Sequence, residues 1–294
     1  MANEKKRRFY FWLVPILLCC TSVQSLAKCP TRMGSIFPSD HFSVISYKGS
    51  AHKYPPNTLP AFQDALTVEG ANALATDLSM TREGEIILWQ DWNPHISFEI
   101  LTFKEFMEWA VVQDKLKLVV LNLKVPADES PMASIMIEKI RGVMVGMDPL
   151  FQILLTTPHK EVLRKVRNEF NEFQFAFDRE IPPEGVINYH RFTAVPTAMD
   201  FKNSFASIGL PVHSLLPDAS TPDPWMIYKF ILTLDFKIRD NYKRSTFKYI
   251  KIISWTFNDE KKMRCLINLG VDGIVTDKPK LLRQIALDMG KILD

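Results

Sequence analysis

The chain has 294 residues, of which 36 are basic and 33 acidic, and 47% are hydrophobic. That length suits one α/β barrel or two small domains with a large core. Four of the basic residues and one acid fall within the first 27 positions, so the remainder carries 32 of each sign and offers no excess charge for a nucleic-acid partner.

The N-terminus comes first and is not expected to be part of the fold. Lys5, Lys6, Arg7 and Arg8 precede an apolar run over 9–20, and Ser25 and Ala27 place small residues where a signal peptidase cuts. The run is shorter than the roughly 20 residues that span a bilayer. Residues 1–27 therefore read as a signal peptide and imply export, periplasmic or secreted. The alternative is an uncleaved N-terminal membrane anchor. Once the leader is removed, no membrane span is expected. Cys29 and Cys265 then remain, either as a disulfide or as two unrelated thiols.

Strands and helices alternate along 28–294. Strands are expected over 42–46, 73–78, 85–89, 116–123, 151–156, 173–177, 249–256 and 272–276. Helices are expected over 59–66, 103–112, 131–145, 158–170, 226–240, 258–270 and 279–289. The run over 116–123 is almost wholly apolar, as a strand buried on both faces must be. Residues 178–249 read as a divergent insertion between strands six and seven, flanked by proline-rich stretches. Eight strands with intervening helices in one domain predict an α/β fold of the (β/α)8 TIM-barrel type. Chemistry in such a barrel sits where strands end and helices begin. There is no glycine-rich phosphate loop and no Cys/His metal spacing.

Ordered motifs stand at those strand ends. Tyr47-Lys48-Gly49 is followed by Pro55-Pro56-Asn57-Thr58. Ala75-Thr76-Asp77 ends the second strand, Gln90-Asp91 follows the third, and Asn122 precedes Lys124 on the fourth. Trp255-Thr256-Phe257-Asn258 and the run from Leu269 to Pro279 complete the set. In these motifs and their order the chain resembles the glycerophosphodiester phosphodiesterase family, whose fold is a barrel of the phospholipase-C-like phosphodiesterase type. The resemblance implies metal-dependent hydrolysis of glycerophosphodiesters, with two histidines moving protons and carboxylates holding the metal. Here Tyr47 and Gln90 stand at the histidine positions. Pro56, Ala75, Asp77 and Asn122 stand at the carboxylate positions, which leaves Asp77 as the one retained candidate metal ligand. Lys48 replaces the family's arginine and Lys124 keeps its place.

These departures shape the functional expectation. Lys48, Asp91, Lys124 and Trp255 are expected to line the mouth and bind a small phosphodiester or polar ligand, with little or no turnover. A salt bridge from Lys48 and Lys124 to Asp77 or Asp91, filling the vacated metal position, is the competing account of those lysines. The alternative function is an active phosphoric diester hydrolase with a relocated site, using a divalent metal (Mg or Ca) and His52 or His95 as acid and base. If the chain is not active, no metal is expected to be bound. A third reading keeps the barrel as a scaffold for 178–249.

Overall fold

The structure, a computed structural model, describes residues 29, 34–92, 100–170, 172–180, 193–210 and 223–293. Its strands are β1 (Ser43–Tyr47), β2 (Ala73–Met80), β3 (Ile86–Ile87), β4 (Leu118–Leu123), β5 (Gln152–Thr157), β6 (Gln174–Glu180), β7 (Phe205–Gly209), β8 (Lys251–Trp255) and β9 (Gly273–Thr276). The helices are α1 (Leu59–Thr67), α2 (Phe103–Ala110), α3 (Ser130–Met144), α4 (Lys160–Glu169), α5 (Val195–Asp200), α6 (Pro224–Thr246), α7 (Glu260–Leu269) and α8 (Pro279–Asp288). The sheet runs β1-β9-β8-β7-β6-β5-β4-β2-β3, and β1 also pairs with β2. All pairings are parallel except β2 with β3, so the eight strands other than β3 close into a barrel.

The period of two along each strand sorts the side chains into layers. Ile45, Ala75, Val120, Leu154, Ala176, Phe205, Ile253 and Val275 belong to a buried cluster of their own inside the barrel. The alternate residues, such as Val119, Leu121, Ile252 and Ile274, join the larger cluster between strands and helices. Two positions beyond the inner apolar layer come Tyr47, Asp77, Asn122, Thr156, Asp178, Ser207 and Trp255. The inner layer thus turns from apolar to polar at the C-terminal ends of the strands, which is where the candidate site lies.

Two expectations change. The predicted strand over 85–89 is a two-residue hairpin partner of β2 and takes no place in the barrel. The missing barrel strand is β7, inside the stretch read as an insertion, so α5, β7 and α6 make 178–249 a working part of the barrel. An apolar run as short as Ile86-Ile87-Leu88 marks burial without saying which sheet position it fills. In β7 the small residues Ala206, Ser207 and Gly209 hide the strand signal. Gly209 is required there because the Trp255 ring covers it, and a Cβ would sit 2.3 Å from that ring.

Buried polar groups tie α6 to the barrel. Arg239 is wholly buried; it donates to Asp272 Oδ2 at 3.0 Å and stacks against Phe236 and Tyr249. Tyr249 donates to Asp272 Oδ1 at 2.8 Å. Asp235, also wholly buried, accepts the Ala194 and Val195 amides at the start of α5. Burial pushes its carboxyl up to about 7, against the lowering effect of those two amides. The unfolded chain releases this proton near pH 4, whereas the folded chain holds it to about pH 7. Stability should therefore fall as pH rises between those values, by up to about 1.4 kcal/mol per pH unit. Urea titrations of the protein and of Asp235→Asn across this range should show the slope in the first and its loss in the second.

Cys29 is bonded to Cys265 on α7, with the Cα atoms 5.2 Å apart, so the N-terminal arm is stapled to the barrel. Among the described residues, no helix is long and apolar enough to cross a membrane. The predicted signal peptide lies outside the described residues.

Candidate functional site

β1 delivers Tyr47 into the mouth, and the chain then turns sharply. Lys48 and Gly49 both have left-handed backbones, with φ of 59° and 79°. At Gly49 a Cβ would lie 2.6 Å from the Ala61 carbonyl carbon, so α1 packs directly on this turn and only glycine fits. The Asn57 amide donates to the Lys48 carbonyl at 3.0 Å, and its side-chain oxygen accepts from Thr76 Oγ1 at 2.7 Å. Thr58 caps α1. The Pro-Pro-Asn-Thr motif thus fixes where Lys48 points.

β2 presents Asp77, which is 1% exposed. Tyr47 donates its hydroxyl to Asp77 Oδ2 at 3.0 Å. Lys48 Nζ lies 3.0 Å from Oδ2, and Lys124 Nζ lies 3.0 Å from Oδ1. Lys48 also reaches Gln90 Oε1 at 3.3 Å and lies over the Tyr47 ring. Burial first, and the Asp77 charge second, push the Tyr47 hydroxyl above its ordinary range. Tyr47 therefore remains a hydrogen-bond donor at neutral pH and exchanges no proton there.

A second cluster lies across the mouth. Asp178 on β6 is 6% exposed; it accepts from Asn122 Nδ2 at 3.1 Å and from the Ser207 hydroxyl. Trp255 Nε1 donates to Ser207 Oγ at 2.9 Å. Burial raises the Asp178 carboxyl, opposed by the Ser207 and Thr156 hydroxyls and by Lys124. Between the clusters lies a cavity of about 330 Å³ lined by Tyr47, Asp77, Lys124, Asp178 and Trp255 among others.

The predicted residues Tyr47, Lys48, Asp77, Gln90 and Lys124 therefore meet, with Trp255 on the opposite wall. Asp91 does not join them: it is exposed, and its backbone carbonyl accepts from Ser79. His52 faces away, with Nε2 3.0 Å from Glu69 Oε1, and His95 lies outside the described residues. Ser207 was not expected here, and Asp178 was expected on this face only as a surface ion pair or loop anchor. Asp178 is carried inside because strand six, expected to end at 177, continues to Glu180. Its signal was a carboxylate in phase with Ala176. Ser207 gave none, because its strand was not recognised.

No family model matches the chain. A curated relative, the glycerophosphodiester phosphodiesterase of Caldanaerobacter subterraneus subsp. tengcongensis, is 21% identical over 253 residues, which is 81% of this chain and 95% of that protein. The chain is related to the glycerophosphodiester phosphodiesterases. Solved structures share the fold. A putative glycerophosphoryl diester phosphodiesterase from Silicibacter pomeroyi superposes with a TM-score of 0.64 at 16% identity, covering 89% of this chain and 98% of that one. An Oleispira antarctica phosphodiesterase in complex with the product sn-glycerol-3-phosphate gives 0.57 at 17% identity, covering 83% and 96%.

In this phosphodiesterase relative the best-kept motif serves the fold. Asn258 donates to Asp277 Oδ2 at 2.6 Å and accepts from Thr276 Oγ1 and the Asp277 amide, which joins the ends of β8 and β9. The donor set at the mouth does not suit the divalent cation that the family's chemistry implies. Magnesium or calcium takes about six or more oxygens. Asp77 turns both of its oxygens to ammonium groups, and Asp178 turns both of its own to Ser207 and Asn122. Among the described residues, no group of three or more His, Cys, Asp or Glu is arranged to hold a metal ion.

Proposed function

We propose that this is an exported phosphodiesterase relative that binds a small phosphate ester at its barrel mouth and does not hydrolyse it. The observation that carries this reading is the filling of the vacated metal position. Lys48 and Lys124 make the salt bridge to Asp77 that competed with ligand binding in the sequence, which removes the metal site, while Lys124 still borders the open cavity. Two ammonium groups and one carboxylate give the Asp77 cluster one net positive charge, with Asp178 and Glu180 also lining the cavity. Phosphoryl oxygens would share the two lysines with Asp77, and the Trp255 ring would cover the ester's carbon chain. Proton transfer has no carrier at Tyr47 or Gln90, and His52 is turned toward Glu69. The complex of the Oleispira antarctica phosphodiesterase with sn-glycerol-3-phosphate supports the choice of ligand class. The leader over 1–27 supports export.

The test combines turnover with binding. Glycerophosphocholine and glycerophosphoethanolamine would be incubated with the protein and Mg²⁺, Ca²⁺ or Mn²⁺, and calorimetry would follow glycerol 3-phosphate. The expected result is binding without release of glycerol 3-phosphate from either diester. Affinity should fall about tenfold or more in Lys124→Ala, the cost of losing one charge-assisted hydrogen bond. Metal-dependent release of product, lost in Asp77→Ala, would overturn the reading in favour of a hydrolase.

A further inference from the structure

The far end of α6 carries a feature that the mouth does not use. From 241 to 251 the chain holds Lys243, Arg244, Lys248 and Lys251 and no acid. Phe247 ends the helix with a left-handed backbone, φ 59°, and is 92% exposed. A bulky side chain is disfavoured in that conformation, where glycine or asparagine is the usual choice. With so little of it buried, Phe247 gains no packing in return. The fold thus supplies no reason for phenylalanine at this position.

The arm before β1 brings more apolar surface to the same end. The Ile36 amide donates to Asp240 Oδ2 at 2.8 Å, and Ile36 is itself 55% exposed. The Phe37 ring lies 4.8 Å from Lys243 Nζ and 5.6 Å from the Arg244 guanidinium. Protruding apolar side chains beside a group of cations match an anionic lipid surface: the apolar side chains enter the headgroup layer and the cations meet phosphate.

We propose that this loop docks the barrel on an anionic phospholipid membrane, with Phe247 and Ile36 in the interface. A side chain as exposed as Phe247 suits a fluid surface, which needs no shaped partner. The loop precedes β8 and so lies at the N-terminal ends of the strands, opposite the mouth. Docking there leaves the mouth open to water, and it takes a soluble ester rather than a lipid still in the bilayer.

Sedimentation of the full chain with vesicles tests this, using phosphatidylcholine alone and phosphatidylcholine mixed with phosphatidylglycerol. The expected result is binding to the anionic vesicles, weakened by salt. Phe247→Gly should lower that affinity by about tenfold, the loss of one aromatic from the interface, without lowering the melting temperature. Arg244→Glu with Lys248→Glu should abolish binding. Any contribution of the leader is common to parent and variants, so their difference reports the loop. Equal binding by parent and variants, or equal binding to both kinds of vesicle, would overturn the proposal. So would binding to polyglutamate in place of vesicles, which would make the partner an acidic protein.

Discussion

Asp77→Ala is expected to lower the unfolding free energy by about 3 kcal/mol. The carboxylate is buried and accepts from three donors, Tyr47, Lys48 and Lys124. Its removal leaves two ammonium groups on either side of the vacated carboxylate position, without their shared anion. Their side chains are 14% and 27% exposed, so they recover part of their hydration. That places the effect at the lower end of what breaking a buried ion pair costs. Guanidinium titration would measure it. Inorganic phosphate should then stabilise the variant more than the parent, because an anion can take the place of the lost carboxylate. An unchanged denaturation midpoint would mean that the two lysines do not depend on Asp77. The mouth would then lose its electrostatic explanation.

The second large effect concerns the staple between Cys29 and Cys265. The bond closes a loop with a sequence separation of 236. Opening a loop of that length returns considerable entropy to the unfolded chain. Cys29→Ser should therefore cost about 3–5 kcal/mol. For a barrel of this size that is a fall in melting temperature of about 10 °C. Cys29 is the better residue to change, since Cys265 is buried on α7 and its replacement would add a packing defect. Calorimetry of the oxidised protein, the reduced protein and the variant would separate the bond from the side chain. The reduced protein and the variant should melt together. If all three melt alike, the arm contributes nothing to stability.

The barrel was legible because strands buried on both faces leave short, almost continuous apolar runs, such as 118–123, between helical stretches. The count of eight strands came out right through an exchange. The run around Ile86 looked like a barrel strand and is a hairpin edge, whereas Phe205–Gly209 is a barrel strand that its small residues concealed. Lys48, Lys124 and Asp77 were legible as a group through their motif positions. Asp91, one residue past Gln90, was expected to share their rim, but its side chain stays outside.

What the sequence determined by itself is the alternation of the strands, the order of the motifs, and the residue types at the histidine and carboxylate positions. These are local properties, written in spacing and side-chain chemistry. Tertiary structure alone decided the partners. Closure of the sheet set Lys48 and Lys124 on opposite oxygens of one aspartate, turned His52 toward Glu69, and carried Asp178 inside to Ser207. Each is a contact between distant strands or loops, fixed by the register of the closed barrel. No single segment of the chain records that register.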